Sequence, residues 1–222
     1  MIRTMIRAAI FDMDGLLIDS EPLWKRTNYE TFKTLGIEIT AELRHNMMGR
    51  TSAENVAYLY GQHPWKGPSL EEVETMIRDE IIRLVKAEGT LKPGVHQALS
   101  VCKKAELSVA IASSSNQVII DAVVDTLEIR EHFDHIYSAQ FEPYGKPHPG
   151  VFIKVAKHFK VRPEDCLVFE DSPSGVLAAK SARMVCVAVP EPSAKDNPFV
   201  QTADVILDSL EQFDTEILKN LG

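Results

Sequence analysis

Residues 8–24 read AAIFDMDGLLIDSEPLW, an apolar run, two carboxylates one residue apart (Asp12 and Asp14), a glycine, and a second apolar run that ends in two more acids. An apolar run without polar alternation predicts a strand covered on both faces, as in a parallel sheet. Similar runs recur as LSVAIA before Ser113, CLVF before Glu170 and VCVAV before Pro190, with a weaker one, ADVIL, near the end. Between them, NQVIIDAVVDTL (residues 116–127) and PGVFIKVAKHF (residues 149–159) carry helical spacing. Strands alternating with helices predict an α/β fold, a doubly wound parallel sheet of Rossmann-like form.

The rhythm breaks after the first strand. Residues 18–88 contain no convincing strand and several amphipathic stretches, so they predict an α-helical cap inserted into an α/β core made of residues 1–17 and 89–222. Ser69 with Glu72 and Thr51 with Glu54 each have the spacing of a capping box. After Ser69, the residues Val73, Met76, Ile77, Ile81 and Leu84 follow at helical intervals. Pro93-Gly94 marks the return to the core, and PEPSAKDNP (residues 190–198) reads as a surface loop.

The chain of 222 residues is 45% hydrophobic and 25% charged, the composition of a globular protein with a sizeable core. Its net charge of -8 excludes nucleic-acid binding as the main function, because a phosphate backbone demands clustered Lys and Arg. Cys102, Cys166 and Cys186 are odd in number, widely spaced and flanked by apolar residues. They read as reduced, buried thiols and give the expectation of a cytoplasmic protein. The apolar start stops at Asp12, too short for a signal-peptide core, and no later run is long enough for a bilayer, so no membrane partner is expected. A monomer is the expected state.

In an open parallel sheet, ligands bind beyond the carboxyl ends of the strands. Asp12 and Asp14 follow the first run, Ser113 to Ser115 the second, and Glu170 and Asp171 follow CLVF, so separate segments meet at one crevice. Lys146, in the YGKPHPG loop, can join them. Like charges about 4 Å apart repel by roughly 4 kcal/mol at an effective dielectric near 20. Either some of these acids stay protonated or a cation belongs there, and an all-oxygen donor set selects Mg²⁺. The SSSN turn opens a helix, which favours an anionic substrate. One carboxylate can act as nucleophile while its neighbour moves a proton, and Gly15 permits the sharp turn between strand and crevice.

These residues resemble the haloacid dehalogenase superfamily of phosphotransferases along almost the whole chain. FDMDGLL looks like its first motif, IASSS its second, GKPHP its third and FEDSPSG its fourth. The helical insert resembles the small cap of the subgroup that includes β-phosphoglucomutase, phosphoglycolate phosphatase and sugar-phosphate phosphatases. The segments DSEPLW, GR, PWKGPS and PYGKPHP most resemble bacterial hexitol and 2-deoxyglucose-6-phosphate phosphatases. The resemblance implies Asp12 as nucleophile and Asp14 as general acid and then base, with Ser113 and Lys146 holding the phosphoryl group. It also implies Mg²⁺ on Asp171, the Asp12 carboxylate and the Asp14 carbonyl, with Glu170 assisting directly or through water.

Several residues keep two readings. Ser114, Ser115 and Asn116 either cap a helix or touch substrate, with Ser114 the stronger substrate contact. Arg50 in the Gly49-Arg50 turn is a substrate contact or a surface arginine, and Glu21 a hinge acid that gates substrate or a solvated helix start. Trp24 reads as cap core or pocket wall. It stands where the mutase-like relatives carry a proton-controlling histidine, which favours hydrolysis. The expected activity is a phosphatase for small phosphorylated metabolites, sugar or polyol phosphates. A phosphosugar mutase is the alternative on the same fold, and a non-catalytic regulatory protein the alternative of another class.

Overall fold

The computed structural model describes residues 5–47 and 50–222. Its centre is a six-stranded sheet: β1 (Ala8–Phe11), β2 (Ser108–Ser113), β3 (His135–Ser138), β4 (Cys166–Glu170), β5 (Val185–Ala188) and β6 (Val205–Ile206). The order is β3-β2-β1-β4-β5-β6 and every pairing is parallel. The weak ADVIL run is thus a real edge strand, shortened to two residues.

The unbroken apolar run of β1 has its explanation in the two faces of the sheet. Ala9 and Phe11 point into one core and Ala8 and Ile10 into the other, all fully buried. The first core is completed by helices α5 (Val95–Lys104), α6 (Gln117–Thr126) and α9 (Thr215–Leu221), the second by α7 (Gly150–Phe159) and α8 (Pro173–Ser181). On the first face Phe11 stacks on Phe169 at 4.3 Å, and Phe213 meets Phe169 edge-on at 4.7 Å. Such aromatic pairs add about 0.5–1.5 kcal/mol beyond the area they bury.

Among the described residues, four helices intervene between β1 and α5: α1 (Glu21–Thr34), α2 (Ala41–Met47), α3 (Ser52–Gln62) and α4 (Leu70–Glu88). Both capping boxes form, Thr51 with Glu54 on α3 and Ser69 with Glu72 on α4. The segment has its own small core of Phe32, Ile37, Met47, Val56, Leu59, Trp65, Val73 and Ile77. α4 belongs to both bodies. Its first half supplies Val73 and Ile77 to the helical core, and its second half supplies Ile81, Leu84 and Val85 to the sheet's core.

β1 lies between β2 and β4, where the chain's winding reverses direction. That is the topological switch point, the place where open α/β sheets bind ligands.

Candidate active site

The strand register delivers the acids. Phe11 pairs with Ile111 on one side and Phe169 on the other, so Asp12 emerges beside Ala112 and Glu170. The Asp12 N–H still donates to Phe169 O at 3.0 Å, which keeps Asp12 in sheet register although the strand has ended. Lys146 then ties three strands together. Its Nζ donates to Asp12 Oδ1 at 2.5 Å, to Glu170 Oε1 at 2.6 Å and to Ala112 O at 3.2 Å. An ammonium has three N–H groups, and all are engaged.

Glu170 is sealed from solvent and fully satisfied. Besides Lys146, its Oε2 accepts from Asp171 N, Ser172 N and Ser172 Oγ at 3.0–3.1 Å. Its carboxylate therefore holds Lys146 and the start of α8 in place. Gly175, in the first turn of α8, is required here because a Cβ would collide with the Glu170 carboxylate. Gly15 is required twice over: its φ is +78°, in the left-handed region, and a Cβ would strike Asp171 Oδ2.

The Asp14 carboxylate receives one donor on each oxygen. Trp24 Nε1 donates to Oδ1 and Ser115 Oγ to Oδ2, both at 2.7 Å. Ser113, buried at the end of β2, accepts from Ser115 N at 3.0 Å. Ser114 Oγ is buried without a hydrogen-bond partner. Asn116 does not cap α6 with its side chain; its Nδ2 donates to Glu74 Oε1 on α4 at 3.1 Å. Glu21 pairs with Lys25 at 2.6 Å on the exposed face of α1, and the exposed Arg50 guanidinium sits 4.5 Å from the Tyr58 ring centroid. Gly49 lies outside the described residues.

Carboxylate oxygens of Asp12, Glu170 and Asp171 lie within 4.8 Å of one another. Burial, opposed by Lys146 but aided by Glu170 and Asp14, raises the Asp12 pKa to about 7. Burial followed by repulsion from Glu170 and Asp12 holds Asp171 well above the usual carboxylate range. Burial works against the Lys146 ammonium, yet Asp12 and Glu170 outweigh it and keep its pKa raised. One ammonium among four acids leaves an excess of negative charge in a low-dielectric crevice, a set of hard oxygen donors suited to a divalent cation. The cysteines are buried in the two sheet cores and play no part in it.

A cleft of about 370 Å³ opens between the helical segment and the core, lined by Thr51, Glu54, Glu74, Asn116, Gln140 and Phe141. A larger hollow of about 500 Å³, bounded by Leu99, Ser108 and Val109, lies at the opposite, amino end of β2. The contacts that sequence reasoning missed are those on Asp14. The sequence makes Trp24 cap core or pocket wall and Ser115 a helix cap or substrate contact, and only the fold brings both to one carboxylate. The hints are the place of Trp24, where the mutase-like relatives carry a proton-controlling histidine, and its indole N–H, a donor that requires a partner when its ring is covered.

Fold and site define an α/β enzyme with Rossmann-like topology that gathers carboxylates and one lysine at the switch point. The chain belongs to the haloacid dehalogenase-like hydrolase family, whose model matches residues 6–183. It is similar to hexitol phosphatase B of Escherichia coli (strain K12), with 40% identity over 211 residues, 93% of this chain and 94% of the relative. The phosphorylated carbohydrates phosphatase of Thermotoga maritima is 33% identical over 177 residues, 80% of this chain and 82% of the relative. Among solved structures, CbbY from Rhodobacter sphaeroides in complex with phosphate superposes with a TM-score of 0.83 at 27% identity, covering 94% of this chain and 96% of that one. The sequence-based assignment to the superfamily and to a hydrolase agrees with these findings. No helix among the described residues is long and apolar enough to cross a membrane.

Proposed function

We propose that the protein is a Mg²⁺-dependent phosphatase of sugar or polyol phosphates, acting through a phosphoaspartyl intermediate on Asp12. The observation that carries this is the arrangement of Asp12, held through one oxygen by buried Lys146, beside an Asp14 whose carboxylate is oriented by two donors. The hexitol and carbohydrate phosphatase relatives support the substrate class.

Asp12 attacks the phosphorus, an Asp12–phosphorus bond forms, and the ester P–O bond breaks. Asp14 passes its proton to the departing alkoxide and then takes one from a water. That water attacks the phosphorus, the Asp12–phosphorus bond breaks, and inorganic phosphate leaves. Lys146 holds Asp12 and, with Ser113, supports the transferring phosphoryl group. Asp12, Asp171 and the Asp14 carbonyl would hold Mg²⁺, which supplies neutralisation of the crowded negative charge as phosphate binds. Glu170, whose oxygens accept from Lys146 and the start of α8, would assist the metal directly or through water. Residues 18–88 serve as a cap whose cleft chooses the organic part of the substrate, with Ser114, Asn116, Arg50, Gly49 and Glu21 as candidate substrate contacts. The protein works as a cytoplasmic monomer in this reading.

A panel of sugar and polyol phosphates that includes a hexose 1-phosphate tests the proposal. Stoichiometric release of free phosphate is expected, lost in excess chelator and restored by Mg²⁺. Isomerised sugar phosphate without phosphate release would make the protein a mutase.

A further inference from the structure

We propose that Trp24 is a positioning residue for Asp14, fixing the proton carrier from the helical segment while Ser115 fixes it from the sheet. The inference rests on the reading of Asp14 as general acid and base.

The two hydrogen bonds approach the carboxylate from different parts of the fold. Trp24 lies in the first turn of α1, and Ser115 in the turn between β2 and α6. At 2.7 Å each, both contacts are well within hydrogen-bond length. With one oxygen tied to each side, the carboxylate plane cannot turn about its Cβ–Cγ bond without breaking a bond. The two donors are chemically unlike. An indole N–H only donates, so Oδ1 is kept as an acceptor, whereas a hydroxyl can donate or accept, so the Ser115 bond can reverse when a proton sits on Oδ2.

The indole is itself held. Its ring packs against the sheet's core and the helical core at once. The chain between the two partners is a tight turn, with Leu17 N donating to Met13 O at 2.9 Å, Gly15 N to Ile18 O at 3.0 Å and Trp24 N to Ser20 O at 2.9 Å. The seating of α1 on the core and the orientation of Asp14 are therefore one structural event. A role in packing alone would need the ring but not its N–H, and that difference is measurable.

Trp24→Phe keeps an aromatic ring and removes the donor. In the full chain with Mg²⁺, the expected result is a kcat lower by about 10- to 100-fold, the scale of a misoriented catalytic group, with KM within about threefold. The second readout needs no turnover. Trp24 and Trp65 are the only tryptophans, and Trp65 Nε1 donates to Pro68 O, so two indole N–H resonances are expected. In Asp14→Ala the Trp24 resonance should move upfield while that of Trp65 stays. If Trp24→Phe fails to fold, this shift still decides the matter. A Trp24→Phe protein with kcat within about twofold of wild type, or a Trp24 resonance indifferent to Asp14→Ala, would overturn the positioning role and leave the phosphatase reading standing. Wild-type protein that released no phosphate from any ester would instead overturn the phosphatase reading, with the resonance still reporting on the bond.

Discussion

At the carboxyl end of the sheet, Lys146 commits all three N–H donors to groups on three adjacent strands. Across the cleft, Arg50 lies exposed over Tyr58 and Glu21 pairs with Lys25 in solvent. The first set is positioned by backbone register, and each of its side chains is buried or doubly bonded. The second lies on the first turn of α1 and just before α3, and its polar side chains face water. A site that must place a nucleophile to a fraction of an ångström is built on the first principle, and a surface that must admit varied sugars or polyols can use the second. Asp14 belongs to both, since one of its oxygens is held from each side.

The contrast can be broken most severely at Asp12. Asp12→Asn preserves shape and removes the proposed nucleophile, and turnover of p-nitrophenyl phosphate should fall by about 10⁴-fold or more. Retained activity with Mg²⁺ present would place the chemistry elsewhere.

Lys146→Met tests the sheet end through stability. Leaving buried carboxylates without their cation should cost about 3–5 kcal/mol at pH 8, measured by urea unfolding of the metal-free protein. Lys146 has a raised pKa, so its ammonium is intact at that pH in wild type. The cost should shrink toward pH 5, because Asp12, already raised to about 7 in wild type, takes up a proton and needs no partner.

Asp171→Asn should act in the opposite direction. Folding raises the Asp171 pKa, so the native state binds more protons than the unfolded one, and stability falls as pH rises through the window above the ordinary carboxylate value. The metal-free variant should therefore melt several degrees higher than wild type at pH 8, with the difference vanishing below about pH 3, where both states are protonated. Added Mg²⁺ should stabilise wild type and leave the variant almost unmoved.

The smallest effect belongs to the helical side. Ser69→Ala removes the α4 cap and should cost about 1 kcal/mol of stability. Because that cap lies far along α4 from its sheet-packed half, kcat should stay within about twofold.

The same contrast explains what the sequence made legible. AAIF, CLVF and VCVA announce buried strands because both faces of a parallel sheet are covered, and the acids that follow the first two are fixed by register once the strands are ordered. The two capping boxes are local and were readable for that reason. The hydrogen bonds of Trp24 and Ser115 to Asp14, and of Asn116 to Glu74, were not, because each joins segments whose approach depends on how the helices seat on the sheet. Glu170 was legible as an acid of the crevice. Its saturation by Lys146 and the start of α8 needed the turn after β4.

The central claim is that Asp12 carries the phosphoryl group between substrate and water. Its most direct test is the stereochemical course of hydrolysis at a phosphate made chiral with oxygen isotopes. Two in-line displacements, one by Asp12 and one by water, predict net retention of configuration at phosphorus, whereas inversion would mean that water attacks the substrate directly and would contradict the account.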